Sequence, residues 1–167
     1  MDVTYINPFV KSIRLVFETM VHTKVQIGKP LLRSGPGPAH DISGVIGFSG
    51  DAVGCIILSF PQDVACKVAT AFAGTTVEPN SPDLSDAIGE LANMIAGSAK
   101  ASFAGMDISI SLPSVVMGKG HKVSTARNCP FIVIPCDTDL GVVEIEIGMT
   151  IEKSAAGRKT SPVGATA

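Results

Sequence analysis

Tryptophan is absent from the 167 residues, tyrosine occurs once, and aromatic residues make up only 5% of the chain. Charge is scarce as well. Asp, Glu, Lys and Arg together supply 17%, nearly balanced in sign, for a formal net charge of −2 and a pI near 5.9. Nucleic-acid binders need a concentrated basic surface. Here Lys11, Arg14, Arg33, Lys67 and Lys100 stand as isolated residues, so that class is excluded. Every apolar stretch is broken by Gly, Pro or a charge, well short of the ~20 residues that a membrane-spanning helix needs. The start, Met1-Asp2-Val3, lacks the basic-then-apolar layout of an export signal. These absences predict a cytoplasmic protein with no membrane segment and no nucleic-acid partner. The four cysteines, Cys55, Cys66, Cys129 and Cys136, form no CxxC pair and sit among apolar neighbours, which predicts buried, reduced thiols. With three histidines in all, a His-rich metal centre is not expected. The glycines of "GFSGDAVG" lack the Lys-Ser/Thr of a phosphate-binding loop. No cofactor or metal of its own is expected.

What the chain does contain is apolar patterning: 46% hydrophobic residues, enough for one domain with a substantial core. The pattern predicts a domain over 1–153 and a disordered tail of small and polar residues over 154–167. In "INPFVKSIRLVFETM", apolar residues recur at spacings of three and four, which predicts an amphipathic helix with Asn7 as N-cap. "KVQIGKPLL" reads as extended, and "SGPGPAH" over 34–40 reads as a loop. Two β-rich runs flank Ser49-Gly50-Asp51 and predict a hairpin, with Gly44, Gly47 and Gly54 suggesting close packing by another element. A helix is expected at 61–73, opened by Pro61 and closed by Gly74. "DISISLPSVVMG" reads as a strand broken at Pro113, and "HKVSTA" as short and extended. "PFIVIPCD" and "GVVEIEIGMTIE" predict a second hairpin. In its last strand Val143, Ile145, Ile147 and Met149 alternate with Glu144, Glu146 and Gly148, as for a sheet with one covered face. Hairpins between helices, without regular βαβ alternation, predict an α+β fold with a largely antiparallel sheet.

The most informative segment predicts a long helix over 84–104. Leu84, Ile88, Leu91, Ile95, Ala99 and Ser102 fall on one side of it. Asp86, Glu90, Asn93, Gly97 and Lys100 fall on the opposite stripe, so Glu90 and Asn93 are neighbours one turn apart. Such a stripe is commonly a solvated face. Two residues argue for more: Asn is a poor mid-helix choice, and Gly97 costs about 1 kcal/mol relative to Ala in a helix interior. An amide and a bare backbone on one stripe suit close approach by another molecule. Spacing alone leaves both readings open.

The run "SDAIGELANMIAGSAKA…LPSVVMG" resembles the signature of the CheC/CheX/FliY phosphatases: Asp86 (with Ser85 beside it), then Glu90, Asn93 and a following Pro113. The "NPF" helix start, "GKP" at 28–30, the "ISGVIGFSGDAVGCIILSF" hairpin and the "EIEIGM" strand extend the likeness over about residues 3–152. Nineteen residues lie between Asn93 and Pro113, a shorter spacing than the family's motif commonly has. Helices 7–20 and 62–73 hold no second Glu-x-x-Asn pair, so the chain is nearer the CheX branch. The resemblance implies a long active-site helix packed on the sheet, and a phosphatase for phosphoaspartate on a CheY-like receiver domain in chemotaxis or related two-component signalling. It implies Glu90 and Asn93 as the catalytic pair, Mg²⁺ supplied by the receiver partner, and a homodimer joined through the subunits' sheets. Two alternatives belong to other classes: a non-catalytic module that binds a receiver or flagellar-switch component, and an unrelated α+β dimer whose stripe is merely solvated.

Overall fold

A computed structural model describes residues 3–34, 40–124 and 129–152. The expected tail at 154–167 and most of the 34–40 loop lie outside them.

A 3₁₀ turn at Val3–Tyr5 leads into α1 (Asn7–Val16), which widens into a π-helical turn at Phe17–Val21 and ends at left-handed His22 (φ 58). Asn7 does not cap α1. Ile6 holds the N-cap position without a side-chain bond, and Asn7 is the first helical residue, followed by Pro8, whose missing N–H costs nothing there. Two short extended pieces follow, β1 (Gln26–Ile27) and β2 (Leu31–Arg33). The hairpin of β3 (Ile42–Gly50) and β4 (Ala52–Phe60) turns at Gly50, whose φ of 99 is open only to a residue without a Cβ. Then come α2 (Gln62–Ala73) and α3 (Pro82–Ala101), the edge strands β5 (Ile108–Ile110) and β6 (Ser114–Met117), and the hairpin of β7 (Phe131–Thr138) and β8 (Gly141–Ile151). Residues 121–124, expected to be extended, form no regular element.

Among the described residues the strands form one sheet in the order β1-β7-β8-β4-β3-β5, with β2 also on β7 and β6 also on β3. Every pairing is antiparallel. This is the expected α+β architecture. One face carries Ile42, Ile46, Phe48, Ile56, Leu58, Ile145 and Ile147, which join the three helices in a single core. Burying such a side chain contributes roughly 1.5–3 kcal/mol. Phe9 of α1 packs edge-on against Phe48 of β3, with ring centroids 5.6 Å apart.

The opposite face departs from expectation. It does not face water at its centre: Cys55, Ile57, Phe131 and Val133 form a second cluster, with Val45 and Val123 against it. Glu146 lies on this face and is only 1% exposed, bonded to the Arg33 guanidinium. Period-two alternation separates the faces of a strand, but cannot tell which chain segments cover each face.

The four cysteines form no disulfide. Cys55, Cys129 and Cys136 are buried as expected, while Cys66 on α2 is half-buried. Burial pushes the Cys55 and Cys136 thiols up to about 12, so they remain protonated and unreactive at neutral pH.

Candidate active site on the long helix

α3 is the helix expected at 84–104, starting two residues earlier and ending three sooner. Ser81 caps it by accepting a bond from the Leu84 N–H at 3.2 Å, and Pro82 opens its first turn. Leu84, Ile88, Leu91, Ile95 and Ala99 are fully buried, as the periodicity predicts. Ser102, placed by that periodicity on the apolar side, is exposed, because the helix has ended and residue 102 is its C-cap.

Two contacts fix how α3 sits. A Cβ at Gly44 would lie 3.0 Å from the Ala92 methyl and 3.1 Å from the Ile88 carbonyl, so β3 and α3 meet at van der Waals distance across that glycine. Of the three hairpin glycines, Gly44 alone is pressed by a helix. Gly47 and Gly54 face Ser111 and strand β8. On the flank, Ser12 Oγ of α1 lies 3.1 Å from Ser98 Oγ of α3. The helix is therefore clamped from below and from one side, and its remaining stripe faces outward.

Asp86, Glu90 and Lys100 on that stripe are exposed, and Asn93 and Gly97 are half-buried. Neither the Glu90 carboxylate nor the Asn93 carboxamide has a hydrogen bond or ion pair among the described residues. Ser85, by contrast, donates to the Pro82 carbonyl at 2.8 Å and is occupied within its own helix. A Cβ at Gly97 would meet nothing within 4 Å beyond its own helical turn, so no neighbour among the described residues requires glycine there.

Glu90 stands on a ridge between two open clefts. One, of about 600 Å³, is lined by Ser85, Asp86, Gly89, Glu90, Pro113 and Val115. The other, of about 400 Å³, lies towards the end of α2, where Phe72, Val77 and Ala87 give it an apolar wall and Asp83 joins Asp86 and Glu90 at its rim. The ridge thus presents three carboxylates within two helical turns, with no basic partner among the described residues. Pro113, which follows Asn93 at a shortened spacing, lines the same cleft as Glu90. The apolar wall of Phe72 and Val77 had no sequence signal, because its residues read as ordinary positions of α2 and the following turn. No group of three or more His, Cys, Asp or Glu side chains that could hold a metal ion occurs among the described residues. No helix there is long and apolar enough to cross a membrane.

An antiparallel sheet under three helices, with a polar stripe on the longest whose Glu90 and Asn93 have no partner among the described residues, defines an α+β domain that offers an open helix face. The family model described as chemotaxis phosphatase CheX matches residues 42–137, more than half of the chain and all of α3. The chain belongs to the CheX family. It is 31% identical over 128 residues to the CheY-P phosphatase CheX of Thermotoga maritima, covering 75% of this chain and 83% of that protein. The crystal structure of a chemotaxis protein CheX from Desulfovibrio desulfuricans matches at a TM-score of 0.79 and 32% identity, over 89% of this chain and 99% of that one. The Borrelia burgdorferi CheX–CheY–BeF₃–Mg²⁺ complex matches at a TM-score of 0.74 over 87% of this chain and 97% of that one. At 23% identity that likeness is one of fold.

Proposed function

We infer that this chain is a phosphatase that hydrolyses the phosphoaspartate of a CheY-like receiver domain, with Glu90 and Asn93 as its working pair. The observation that carries the reading is the pair itself: two polar side chains without a partner among the described residues, one turn apart on the outward stripe of α3, in a member of the CheX family. An acyl phosphate is already activated, and the receiver brings its own Mg²⁺ and Lys to the phosphoryl group. What remains is positioning, which dominates phosphoryl transfer.

Asn93 inserts its carboxamide beside the phosphoryl group and orients the attacking water for in-line displacement. The amide both donates and accepts, so it fixes the water without acting as a strong base. Glu90 pairs with the receiver's Lys and sets the helix in register. Asp83 and Asp86 extend the negative field around Glu90 and favour approach of that basic group. The protein works in the cytoplasm, where receivers are phosphorylated, as a homodimer joined through its sheets.

A panel of phosphorylated receiver domains, assayed for accelerated phosphate release, tests the reading. Acceleration by the wild type that disappears in Asn93→Ala is the expected result. Capture of a receiver with no change in its phosphoryl lifetime would instead make the chain a binding module.

A further inference from the structure

Leu112 is the most exposed large apolar side chain among the described residues, at 87%. It is held there by the backbone around it. Ser111 N–H donates to the Gly47 carbonyl at 2.9 Å, and the Gly47 N–H donates back to Ser111 Oγ at 2.9 Å. Ser111 Oγ also donates to the Leu112 carbonyl at 2.8 Å. On the other side Pro113 fixes its own φ and rests on Gly89 of α3, and β6 then pairs with β3 through Ser114↔Val45. The turn is tied to the sheet before Leu112 and to the active-site helix after it.

We propose that Leu112 is a preformed apolar prong that seats in an apolar recess of the receiver domain beside its phosphorylation site, so that Leu112 and the Glu90–Asn93 stripe grip the receiver together. The inference rests on the phosphatase reading and names a contact that determines which receivers fit. Its occupant is fixed by continuity: Pro113 and Val115, the residues after Leu112, line the same cleft as Glu90. A receiver whose Lys reaches Glu90 across that cleft therefore lies against its Pro113–Val115 wall, next to Leu112. Because the turn is already rigid, seating it costs little ordering entropy, and a buried Leu then contributes about tenfold or more in affinity.

The test uses the full chain and whichever receiver of the panel, phosphorylated with acetyl phosphate, the wild type dephosphorylates fastest. Leu112→Asp should raise KM about tenfold, leave kcat within about twofold, and leave thermal stability and oligomeric state unchanged. Leu112→Met should restore the wild-type KM. A Leu112→Asp variant with wild-type KM overturns the prong and leaves the phosphatase reading standing. A change of oligomeric state in that variant also overturns it, by assigning Leu112 to a contact between copies. A wild type that accelerates no receiver removes both proposals.

Discussion

The Pro113 ring lies over Gly89, one residue before Glu90 on α3. A Cβ at Gly89 would stand 3.5 Å from the Pro113 Cβ and 3.4 Å from Val115 Cγ2. That leaves room for one methyl and no more. Gly89→Ala should therefore keep the β5–β6 turn in place and gain up to about 1 kcal/mol from helix propensity. Gly89→Leu should push Pro113 off the helix, open the cleft beside Glu90 and lower phosphatase activity. Thermal denaturation and phosphate-release assays on the two variants check both outcomes. Loss of activity in the alanine variant with the fold intact would mean that the receiver itself needs the bare backbone.

Asn93 and Glu90 should fail in different ways. On the proposed mechanism Asn93→Ala removes the group that orients the water, and it should lower kcat by about 10²-fold, with little change in KM. On the same mechanism Glu90→Ala removes the proposed charge contact to the partner, and it should raise KM by about tenfold. The Glu90 variant should also lose much of the salt dependence of the wild type, because screening acts on the pair it no longer makes. Steady-state kinetics at two ionic strengths separate the two roles. Equal loss of kcat in both variants would contradict the division of labour.

How far the sequence was legible follows from what each signal measures. The 3.6-residue period of α3 predicted which side chains are buried, since a helix with one covered face leaves no other arrangement for Leu84, Ile88, Leu91 and Ile95. The pairing of β3 with β4 and of β7 with β8 followed from short turns, which are local. Neighbours brought together over long distances were not legible. Glu146 read as an outward polar residue because its alternation with Ile145 and Ile147 is local, whereas the Arg33 that accompanies its burial lies far away in the chain. The second cleft beside Glu90 was missed for the same reason: Phe72 and Val77 meet Asp83 only once α2 and α3 have packed.

Gly97 offers a test of whether the stripe beyond Asn93 is covered by the partner. Beyond its own helical turn, no atom of the described residues lies within 4 Å of where its Cβ would be. Gly97→Ala should stabilise the protein by about 1 kcal/mol, a rise in Tm of roughly 2–4 °C for a chain of this size. If the receiver approaches as proposed, the same substitution should raise KM several-fold, so stability and activity move in opposite directions. A stabilised variant with unchanged KM would confine the docking face to the Glu90 end of α3.

The pair of buried Glu146 and half-buried Arg33 on the far face of the sheet predicts a pH dependence independent of the candidate site. Burial pushes the Glu146 carboxyl above its ordinary value of 4.5; the Arg33 guanidinium opposes the shift, and Glu144 adds to it. His40, which lies 3.6 Å from Glu144, also opposes it. With the folded pKa raised, the folded state holds a proton that the unfolded state has released over the window just above 4.5. Glu146's contribution to stability is then fully present below that window and is lost as pH rises through it. Glu146→Gln, which cannot ionise, should flatten this part of the stability–pH curve, read as Tm in steps from pH 4 to 8. Arg33→Ala should leave the carboxylate buried without its partner, cost on the order of 3 kcal/mol at neutral pH, and steepen the decline. The double variant should recover much of that loss, because no charge then remains to be paired. A wild-type curve no steeper than that of Glu146→Gln would mean that Arg33 compensates burial in full.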